Sequence, residues 1–554
     1  MITFRDIFSK AHLKGDVLGG VTTAIVSLPL ALAFGVSSGA GAQAGLYGAV
    51  LVGFWAACFG GTRTLISEPT GPMTLMMTAV MIKIAATHPE HALPLGFTVV
   101  VLAGIFQILF GILKLGRYIT IMPYSVISGF MSGIGVLLVI LQIPALLGHP
   151  SVPGGAPGVL SALPSLLNAV LWPEIILGSL ALGALFLLPV AWRKVVPPQL
   201  LVLIAGTLCA WLFFNEQTLR VIGNIPMGLP SFQWPVWNGD LIGMILVDAL
   251  LLALLGCIDT LLTAMIADSL TRTQHDSNRE LIGQGIANTL AGLFGGLPGA
   301  GATMGTVVNI QSGAGSPRAA MIRAMTLLGV ILVAAPILSK VPLAVLAAVT
   351  MKVGVDILDW SFLRRAHRVS WSATLIMYGV LFITVMVDIM VAVGIGVFIA
   401  NVITIDRLSR LQASQIKTVD PASDDSLRLS ADERALLEKG RGRILIFHLS
   451  GPMIFGVAKA IAREQSALRN AKVLIVDLSD VPMLATTVGL AIENVIRDAE
   501  AADCVVIVAG AGPKIRDRLT GLGLIGPAAK TRVAETRKNA LALAVNALAD
   551  VERY

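Results

Sequence analysis

Long apolar runs, separated by short stretches rich in polar residues, glycine or proline, fill most of the first 410 residues. A helix needs about 20 apolar residues to cross the hydrocarbon core of a bilayer. Only 13% of the residues are charged, about half the share found in soluble proteins. The sequence therefore predicts an α-helical protein that spans a membrane many times. Clear runs begin near residues 17, 45, 95, 118, 174, 200, 241, 281, 320, 341, 372 and 391.

Two further segments are short and interrupted by glycine and proline: residues 68–74 (EPTGPMT) and 298–304 (PGAGATM). Counting them as half-helices gives fourteen spans. With the N-terminus inside, most cations, Arg318 and Arg323 among them, then fall on the cytoplasmic side, as the positive-inside rule requires. This bias explains the net charge of +7, so nucleic acid is not an expected partner. We expect a bacterial inner-membrane protein with both termini in the cytoplasm.

The two interrupted segments indicate an internal repeat. Phe59-Gly-Gly precedes the first and Phe294-Gly-Gly precedes the second, each after an apolar helix of similar length. Seven spans separate the two segments, so the second copy has the opposite orientation. The sequence thus predicts two inverted seven-span repeats. In transporters, paired broken helices of this kind point to a binding site near the middle of the bilayer.

A half-helix that begins near Thr70 and another near Thr303 would each present free backbone N–H groups and the positive end of a helix dipole. Facing each other, these ends form an anion site without a fixed cation, and the threonine hydroxyls can donate to the same ligand. Neither break carries lysine or arginine. The site therefore suits a small, weakly charged oxyanion, or it takes its positive charge from a co-transported ion.

Asp259 lies in the middle of the eighth span, where a carboxylate is costly unless it is paired or binds a cation. Thr263 follows one helical turn later on the same face. Together with backbone carbonyls of the second break, these oxygens form a site suited to sodium. Two alternatives stay open at this point: a carboxyl that carries a proton, and an aspartate that only makes a packing hydrogen bond.

Other ionisable residues at membrane depth are weaker candidates for the site. Glu68 is expected in the cytoplasmic vestibule or paired with Arg63. Lys352 and Asp356 have the spacing of an ion pair on one helix. Asp268, near a cytoplasmic end, and Asp248, near an outer end, are expected to be reached by water.

Three motifs resemble the SulP family of anion transporters: residues 27–34 (SLPLALAF) with 45–48 (GLYG), 122–135 (MPYSVISGFMSGIG) and 280–288 (ELIGQGIAN). Residues 257–264 (CIDTLLTA) and 298–304 look most similar to the BicA-type sodium-dependent bicarbonate transporters. The resemblance covers nearly the whole chain.

This resemblance implies a core domain and a gate domain built from the two repeats, and a homodimer. It implies bicarbonate at positions matching Thr70, Ala302 and Thr303. It implies sodium at positions matching Asp259, Thr263 and the backbone of Gly301, Ala302 and Thr303. Many family members have a basic residue after the second break, where this chain has Met304-Gly305. That departure counts against a chloride or sulfate exchanger.

The composition becomes that of a soluble protein after about residue 410. We divide the chain into a transport domain (1–412), a linker (413–440) and a cytoplasmic domain (441–554). Strand patterns at 443–450, 472–478 and 504–509 alternate with helical patterns at 456–469, 486–500 and 513–522, which is typical of an α/β domain.

The cytoplasmic domain resembles the STAS domain of the same family. The Asp-Ser phosphorylation motif of that domain corresponds here to residues 484–489 (LATTVG), with Ala485 in place of the aspartate. We therefore expect Thr486 to cap a helix. Whether Thr486 or Thr487 is phosphorylated stays open.

The leading hypothesis is a secondary active transporter: a sodium-dependent bicarbonate symporter that works by alternating access. A proton-coupled transporter of sulfate or a dicarboxylate is the second hypothesis. A membrane-tethered signalling scaffold, in which the STAS-like domain carries the function, is the third. The sequence has no nucleophile–base pair, metal-ligand cluster or phosphate loop, so we do not expect an enzyme, and no organic cofactor is expected.

Overall fold

The computed structural model describes residues 12–116, 123–189, 197–237 (apart from 215–217, 224 and 226–227), 239–387, 391–405 (apart from 393, 397 and 400), 416–419, 429–453, 471–527 and 529–551. The chain divides into two compact units, Met1–Val397 and Phe398–Tyr554.

Apolar helices make up the first unit, and most of them begin close to the predicted starts. The start predicted near residue 118 lies outside the described residues. In chain order the elements are α1 (Leu13–Ser37), α2 (Ala42–Phe59), β1 (Ser67–Glu68), α3 (Gly71–Thr87), α4 (Ala92–Ile112), α5 (Tyr124–Leu146), α6 (Gly155–Asn168), α7 (Trp172–Leu187), α8 (Pro198–Phe213), α9 (Ile242–Thr271), α10 (Ser277–Leu293), β2 (Ala300–Gly301), α11 (Thr303–Gln311), α12 (Arg318–Leu338), α13 (Leu343–Ile357), α14 (Trp360–Val369) and α15 (Trp371–Met386).

Six helical segments among the described residues are long and apolar enough to cross a membrane, and shorter apolar helices accompany them. The six contain α1, α2, α4, α5, α9 and α12. The prediction of a helical membrane protein is confirmed. The count of fourteen spans stays a prediction.

The helices of the first unit pack as two bundles. In the α10 bundle (α1–α4 and α9–α12), α10 packs against α2 and α4, and α12 packs against α1 and α2. In the α5 bundle (α5–α8 and α13–α15), α5 packs against α13 and α15, and α13 packs against α7. This division matches the core and gate domains that the resemblance implies.

Both predicted breaks are present, and the two broken segments contact each other. Each consists of a short extended stretch followed by a helix: β1 then α3, and β2 then α11. β1 and β2 pair antiparallel, with Ser67 opposite Gly301 and Glu68 opposite Ala300. Backbone N–H and C=O groups left unpaired inside a bilayer are costly. The pairing of β1 with β2 gives hydrogen-bond partners to such groups of the two extended stretches. The two half-helices therefore begin at opposite ends of one short antiparallel ladder.

Glycine contacts show a reciprocal relation between the two halves. A Cβ at Gly48 of α2 would lie 2.6 Å from the Leu297 carbonyl oxygen, beyond the end of α10. A Cβ at Gly283 of α10 would lie 2.4 Å from the backbone nitrogen of Gly60, beyond the end of α2. Each helix thus needs a glycine where the chain leaving the other helix crosses it, as expected for an inverted repeat.

The second unit is an α/β domain with a five-stranded sheet. Its elements are β3 (Ile416–Val419), α16 (Ala431–Lys439), β4 (Ile444–Ser450), β5 (Val473–Asp480), α17 (Thr486–Ala501), β6 (Val505–Ala509), α18 (Pro513–Gly521), β7 (Arg532–Ala534) and α19 (Arg537–Val551). The strand order is β3-β4-β5-β6-β7, with β3 antiparallel to β4 and the other pairs parallel. α17 and α18 cover one face of the sheet, whereas α16 and α19 cover the other.

The three predicted strands and the helices predicted at 486–500 and 513–522 are confirmed, whereas the helix predicted at 456–469 lies outside the described residues. Within the predicted linker, 413–440, the structure places β3 and α16. β3 was missed because an edge strand of four residues, inside a polar stretch, shows little alternation. The signal for α16 was its capping box, Ser430 with Glu433.

The prediction that Thr486 caps a helix was wrong. The N-cap of α17 is Ala485, whose backbone N–H donates to the Met453 carbonyl, and Thr486 is the first helical residue. The extended backbone of Ala485 comes from the parallel bridge between Met453 and Leu484, so tertiary pairing decides the cap position here.

Candidate functional site

The beginnings of α3 and α11 form the centre of the candidate site. Thr70 is the N-cap of α3 and Ala302 is the N-cap of α11, and neither helix has a side-chain cap. The Ala302 N–H is already used, because it donates to the Ile66 carbonyl at 2.8 Å. The donors available to an anion at α11 therefore begin at Thr303, one residue later than the resemblance implies.

Asp259 lies beside the beginning of α3. It is on α9, only 7% exposed, and its Oδ2 accepts a hydrogen bond from the Thr70 hydroxyl at 2.8 Å. The predicted anion residue Thr70 and the predicted cation residue Asp259 are thus in direct contact. Through this hydrogen bond, a cation or proton bound to the Asp259 carboxylate would affect the position of the α3 N-terminus.

Thr263 lies beside the beginning of α11. Its hydroxyl donates to the Gly301 carbonyl at 2.8 Å and is 2.9 Å from the Thr303 Oγ1. Thr263 Oγ1 and the Gly301 carbonyl, two oxygens of the predicted cation site, are therefore in hydrogen-bond contact, and the hydroxyl of the predicted anion residue Thr303 lies beside them. The structure brings all the predicted site residues to the two helix ends and to the α9 face between them.

Sequence reasoning missed Thr260. Its hydroxyl is fully buried and accepts a hydrogen bond from the Gly301 N–H at 3.1 Å. One face of α9 thus binds both the N–H and the carbonyl of Gly301. The signal was a second hydroxyl beside that of Thr263, directly after Asp259, in a stretch (249–267) whose other residues are apolar.

Amides from α10 and α4 hold the chain before β2. The side chains of Gln284 and Asn288 both donate to the Gly299 carbonyl, at 2.8 and 2.9 Å. Asn288 Oδ1 accepts from the Gly299 N–H, and its amide nitrogen also donates to Gln107 on α4. This network satisfies the backbone polar groups of an irregular segment in the interior, which is the condition for its presence there.

A buried ion pair holds the chain before α3. Glu68 accepts from Arg323 of α12, which is fully buried and also donates to the Ser27 hydroxyl and to the Ala49 and Ser67 carbonyls. The sequence predicts Arg323 among the cytoplasmic cations and Arg63 as a partner of Glu68. That assignment of Arg323 was wrong, because the guanidinium points into the bundle rather than to the surface.

The remaining ionisable predictions have mixed outcomes. The Lys352–Asp356 ion pair is confirmed. Asp248 was expected to be reached by water, but it is 2% exposed and pairs with Lys83 at 3.3 Å. Asp268 is partly buried, and one of its carboxylate oxygens lies 2.7 Å from Nδ1 of His275.

An apolar cavity separates Asp259 from α5. Among the residues that the structure describes, Asp259 is the one charged residue of the lining, and the cavity lies between the α10 bundle and the α5 bundle. The other lining residues are Val126, Ile127, Phe130, Met131, Leu255, Ile258 and Leu262. A relative movement of the two bundles would therefore open or close the surroundings of the Asp259 carboxylate.

The donor set determines what the site can bind. It offers one carboxylate, hydroxyls and a backbone carbonyl, which are hard oxygen ligands. Within the part of the chain that the structure describes, no three His, Cys, Asp or Glu side chains cluster as a metal site. Beside these oxygens lie two helix N-termini that favour negative charge. The arrangement is suited to bind a small cation and a small anion together.

Comparisons with known proteins identify the family of the chain. The sequence profile of the sulfate permease family matches residues 13–380, and that of the STAS domain matches residues 437–536. The bicarbonate transporter BicA of Synechocystis sp. is 54% identical over 545 residues, which cover 98% of this chain and 96% of that protein. The putative sulfate transporter YvdB of Bacillus subtilis is 30% identical, over 93% of this chain and 95% of that protein.

Solved structures show the same fold. The transmembrane domain of a cyanobacterial bicarbonate transporter BicA superposes with a TM-score of 0.66 at 55% identity, covering 70% of this chain and 98% of that one. The murine anion transporter Slc26a9 in its inward-facing state gives a TM-score of 0.81 at 17% identity, covering 97% of this chain and 92% of that one. The chain is therefore a transporter rather than an enzyme, and it belongs to the sulfate permease family, with a STAS domain after the membrane unit.

Proposed function

We propose that this protein is a sodium-coupled bicarbonate transporter. The observation that carries the proposal is the contact of Asp259 and Thr263 on α9 with both broken segments: Asp259 with Thr70, and Thr263 with Gly301 and Thr303. A sodium ion bound to these oxygens would supply the positive charge that the α3 and α11 N-termini lack for holding an anion. Thr70, Thr303 and the first N–H groups of α11 would bind the bicarbonate, beside Ala302.

The relatives support bicarbonate as the anion. The two BicA proteins at 54% and 52% identity are named bicarbonate transporters, and each matches nearly the full length of this chain. Three relatives named as sulfate transporters match at 30%, 30% and 27% identity. The absence of a basic residue at Met304-Gly305 fits an anion of low charge whose counter-charge is a co-transported cation.

The two bundles provide a route for alternating access. β1, β2 and α9 belong with the α10 bundle, so both ions would move with it past the apolar residues of the α5 bundle. We further propose fourteen spans, a homodimer, and an orientation in the bacterial inner membrane with both termini in the cytoplasm. The scaffold hypothesis explains none of the contacts between Asp259 and the broken segments.

Ion replacement tests the coupling. The full-length protein in vesicles should take up labelled bicarbonate when sodium is present outside, and uptake should fall to the background level in potassium alone. Asp259→Ala should abolish the sodium-dependent part, whereas Asp356→Asn, which alters the carboxylate of the partly exposed Lys352–Asp356 ion pair, should retain it.

The same vesicles test the proton-coupled alternative. If a pH gradient alone drives labelled sulfate or fumarate, and sodium has no effect on bicarbonate uptake, the site carries a proton on Asp259 and sodium coupling is refuted.

A further inference from the structure

The short helix α14 (Trp360–Val369) has a strongly basic outer face. Arg364, Arg365, His367 and Arg368 are exposed, and the helix contains no acidic residue. Its other face packs inward: Ala366 is fully buried, and the Leu363 carbonyl accepts a hydrogen bond from Tyr378 of α15 at 3.1 Å. The basic face is therefore held outward by the packing of the helix.

One acidic residue, Asp359, lies at the N-terminal end of this face, and the positive charge of Arg365 acts on it. Asp359, the N-cap of α14, is used by the hydroxyls of Tyr124 and Ser128 and by the Phe362 N–H. Arg364 lies over the Trp360 ring at 5.7 Å, and Arg365 bonds to Ser361. Within the described ranges, none of the three arginines of α14 forms an ion pair with an acidic side chain.

The surroundings of α14 place it at the edge of the lipid-facing surface. Trp360 at its first position and Trp371, at the start of α15, are 47% and 69% exposed. Leu375 and Phe382 continue the exposed apolar surface along α15. Tryptophan is enriched at membrane interfaces, and a helix with one apolar and one basic face lies in the headgroup region.

We propose that α14 is an interfacial helix that binds the phosphates of anionic phospholipids. Arg364 and Arg368, one helical turn apart, form the headgroup contact. The cations of the chain mark this side as cytoplasmic by the positive-inside rule, and the inner leaflet is the one that carries anionic lipid at its surface.

This contact would act on the candidate site through α5. Asp359 at the start of α14 holds Tyr124 and Ser128, which are in the first turns of α5. On the same helix, Phe130 and Met131 line the cavity beside Asp259. Anionic lipid bound to α14 thus fixes the α5 bundle at a set depth while the α10 bundle moves. This inference does not depend on which ion the protein carries.

Lipid binding to the purified full-length protein in detergent tests the contact. Phosphatidylglycerol should raise the thermal unfolding temperature at concentrations where phosphatidylcholine does not. Arg364→Gln/Arg368→Gln should weaken the apparent affinity for phosphatidylglycerol about 25-fold, because each arginine strengthens binding to an anionic surface about fivefold. The matched control, Lys514→Gln/Arg516→Gln on α18, removes the same charge from the exposed face of a helix in the second unit and should leave the affinity unchanged.

Transport in vesicles gives a second, separable measurement. Uptake by the unaltered protein should be faster with phosphatidylglycerol present than in phosphatidylcholine alone, and the Arg364→Gln/Arg368→Gln variant should lose this difference while keeping its rate in phosphatidylcholine. Equal affinity of the variant and the unaltered protein for phosphatidylglycerol would overturn the proposal. So would a variant that is impaired equally in both vesicles, because the arginines would then contact protein rather than lipid.

Discussion

Gly301 shows how one residue links the two halves of the candidate site. Its carbonyl accepts from Thr263 and its N–H donates to Thr260, so it is pressed against α9. A Cβ at this position would lie 3.0 Å from the Thr263 Cβ and 3.1 Å from the Thr260 Cα. A side chain at this position would require β2 or α9 to move by a few tenths of an ångström.

Gly301→Ala should therefore push β2 away from α9 and break the Thr263 contact. We expect the sodium concentration for half-maximal uptake to rise about tenfold or more, which corresponds to the loss of a hydrogen bond of about 1.5 kcal/mol. Gly329→Ala on α12 is the control, because a Cβ there meets no atom within 4 Å. An unchanged sodium dependence of Gly301→Ala would show that this close approach is unimportant.

Asp477 in the second unit gives a pH-dependent prediction. Burial opposes its ionisation, but hydrogen bonds from His448, Ser479 and Arg537 outweigh burial and lower its pKa to about 2. A lowered folded-state pKa stabilises the domain above the unfolded pKa near 4. That contribution, about 2 kcal/mol, is lost as the pH falls from about 4 to 2.

Hydrogen exchange of the β5 amides in the full-length protein measures this effect. Protection should fall steeply below pH 4 in the unaltered protein. Asp477→Asn should lower protection at neutral pH and flatten the dependence, whereas Asp517→Asn, at an exposed position of α18, should behave like the unaltered protein. If protection of the β5 amides still falls steeply below pH 4 in Asp477→Asn, groups other than Asp477 cause the pH dependence.

At the scale of elements, the two broken segments depend on contacts made far away in the sequence. β1 is held by Arg323 of α12 through Glu68 and the Ser67 carbonyl. β2 is held by the amides of α10 and by α9. The half-helices thus begin at fixed positions because neighbouring helices satisfy the extended backbone before them.

Removing the arginine should loosen the first broken segment. Arg323→Met leaves the Glu68 carboxylate buried without its cation, which costs about 3–5 kcal/mol. We expect a clear fall in the thermal unfolding temperature in detergent, partly recovered when Glu68→Gln is added. Lys352→Met, which opens a partly exposed pair, should cost below about 1 kcal/mol. If Arg323→Met and Lys352→Met lower the thermal unfolding temperature equally, the buried ion pair of Arg323 does not hold the first broken segment.

The sequence predicts the half-helices well but not what holds them. Glycine and proline next to Thr70 and Thr303 are local signals, and so is Asp259 within an apolar span. The pairing of Ser67 with Gly301, and of Glu68 with Arg323, joins residues more than 200 positions apart, so no local pattern reveals it. Arg323 looked like a loop cation because it lies only five residues beyond Arg318, at the beginning of a helix.

At the scale of the whole molecule, the two units differ in which structural features their sequence patterns predict. In the membrane unit, apolar length predicts the helices, whereas the division into two bundles appears only in the packing. In the second unit the buried strands β4–β6 were predicted from continuous apolar runs. The short edge strands β3 and β7 were not, because edge strands need only one neighbour and few buried residues.

The central claim is that a cation on Asp259 supplies the charge that lets two helix N-termini hold an anion. Binding of bicarbonate and sodium must then be mutually dependent, since coupling between two sites is reciprocal. The most direct measurement is the bicarbonate affinity of the purified protein at increasing sodium concentration, at constant ionic strength with potassium. We predict that sodium raises this affinity about tenfold or more and that Asp259→Asn abolishes the effect. A bicarbonate affinity that is the same with and without sodium would contradict the account.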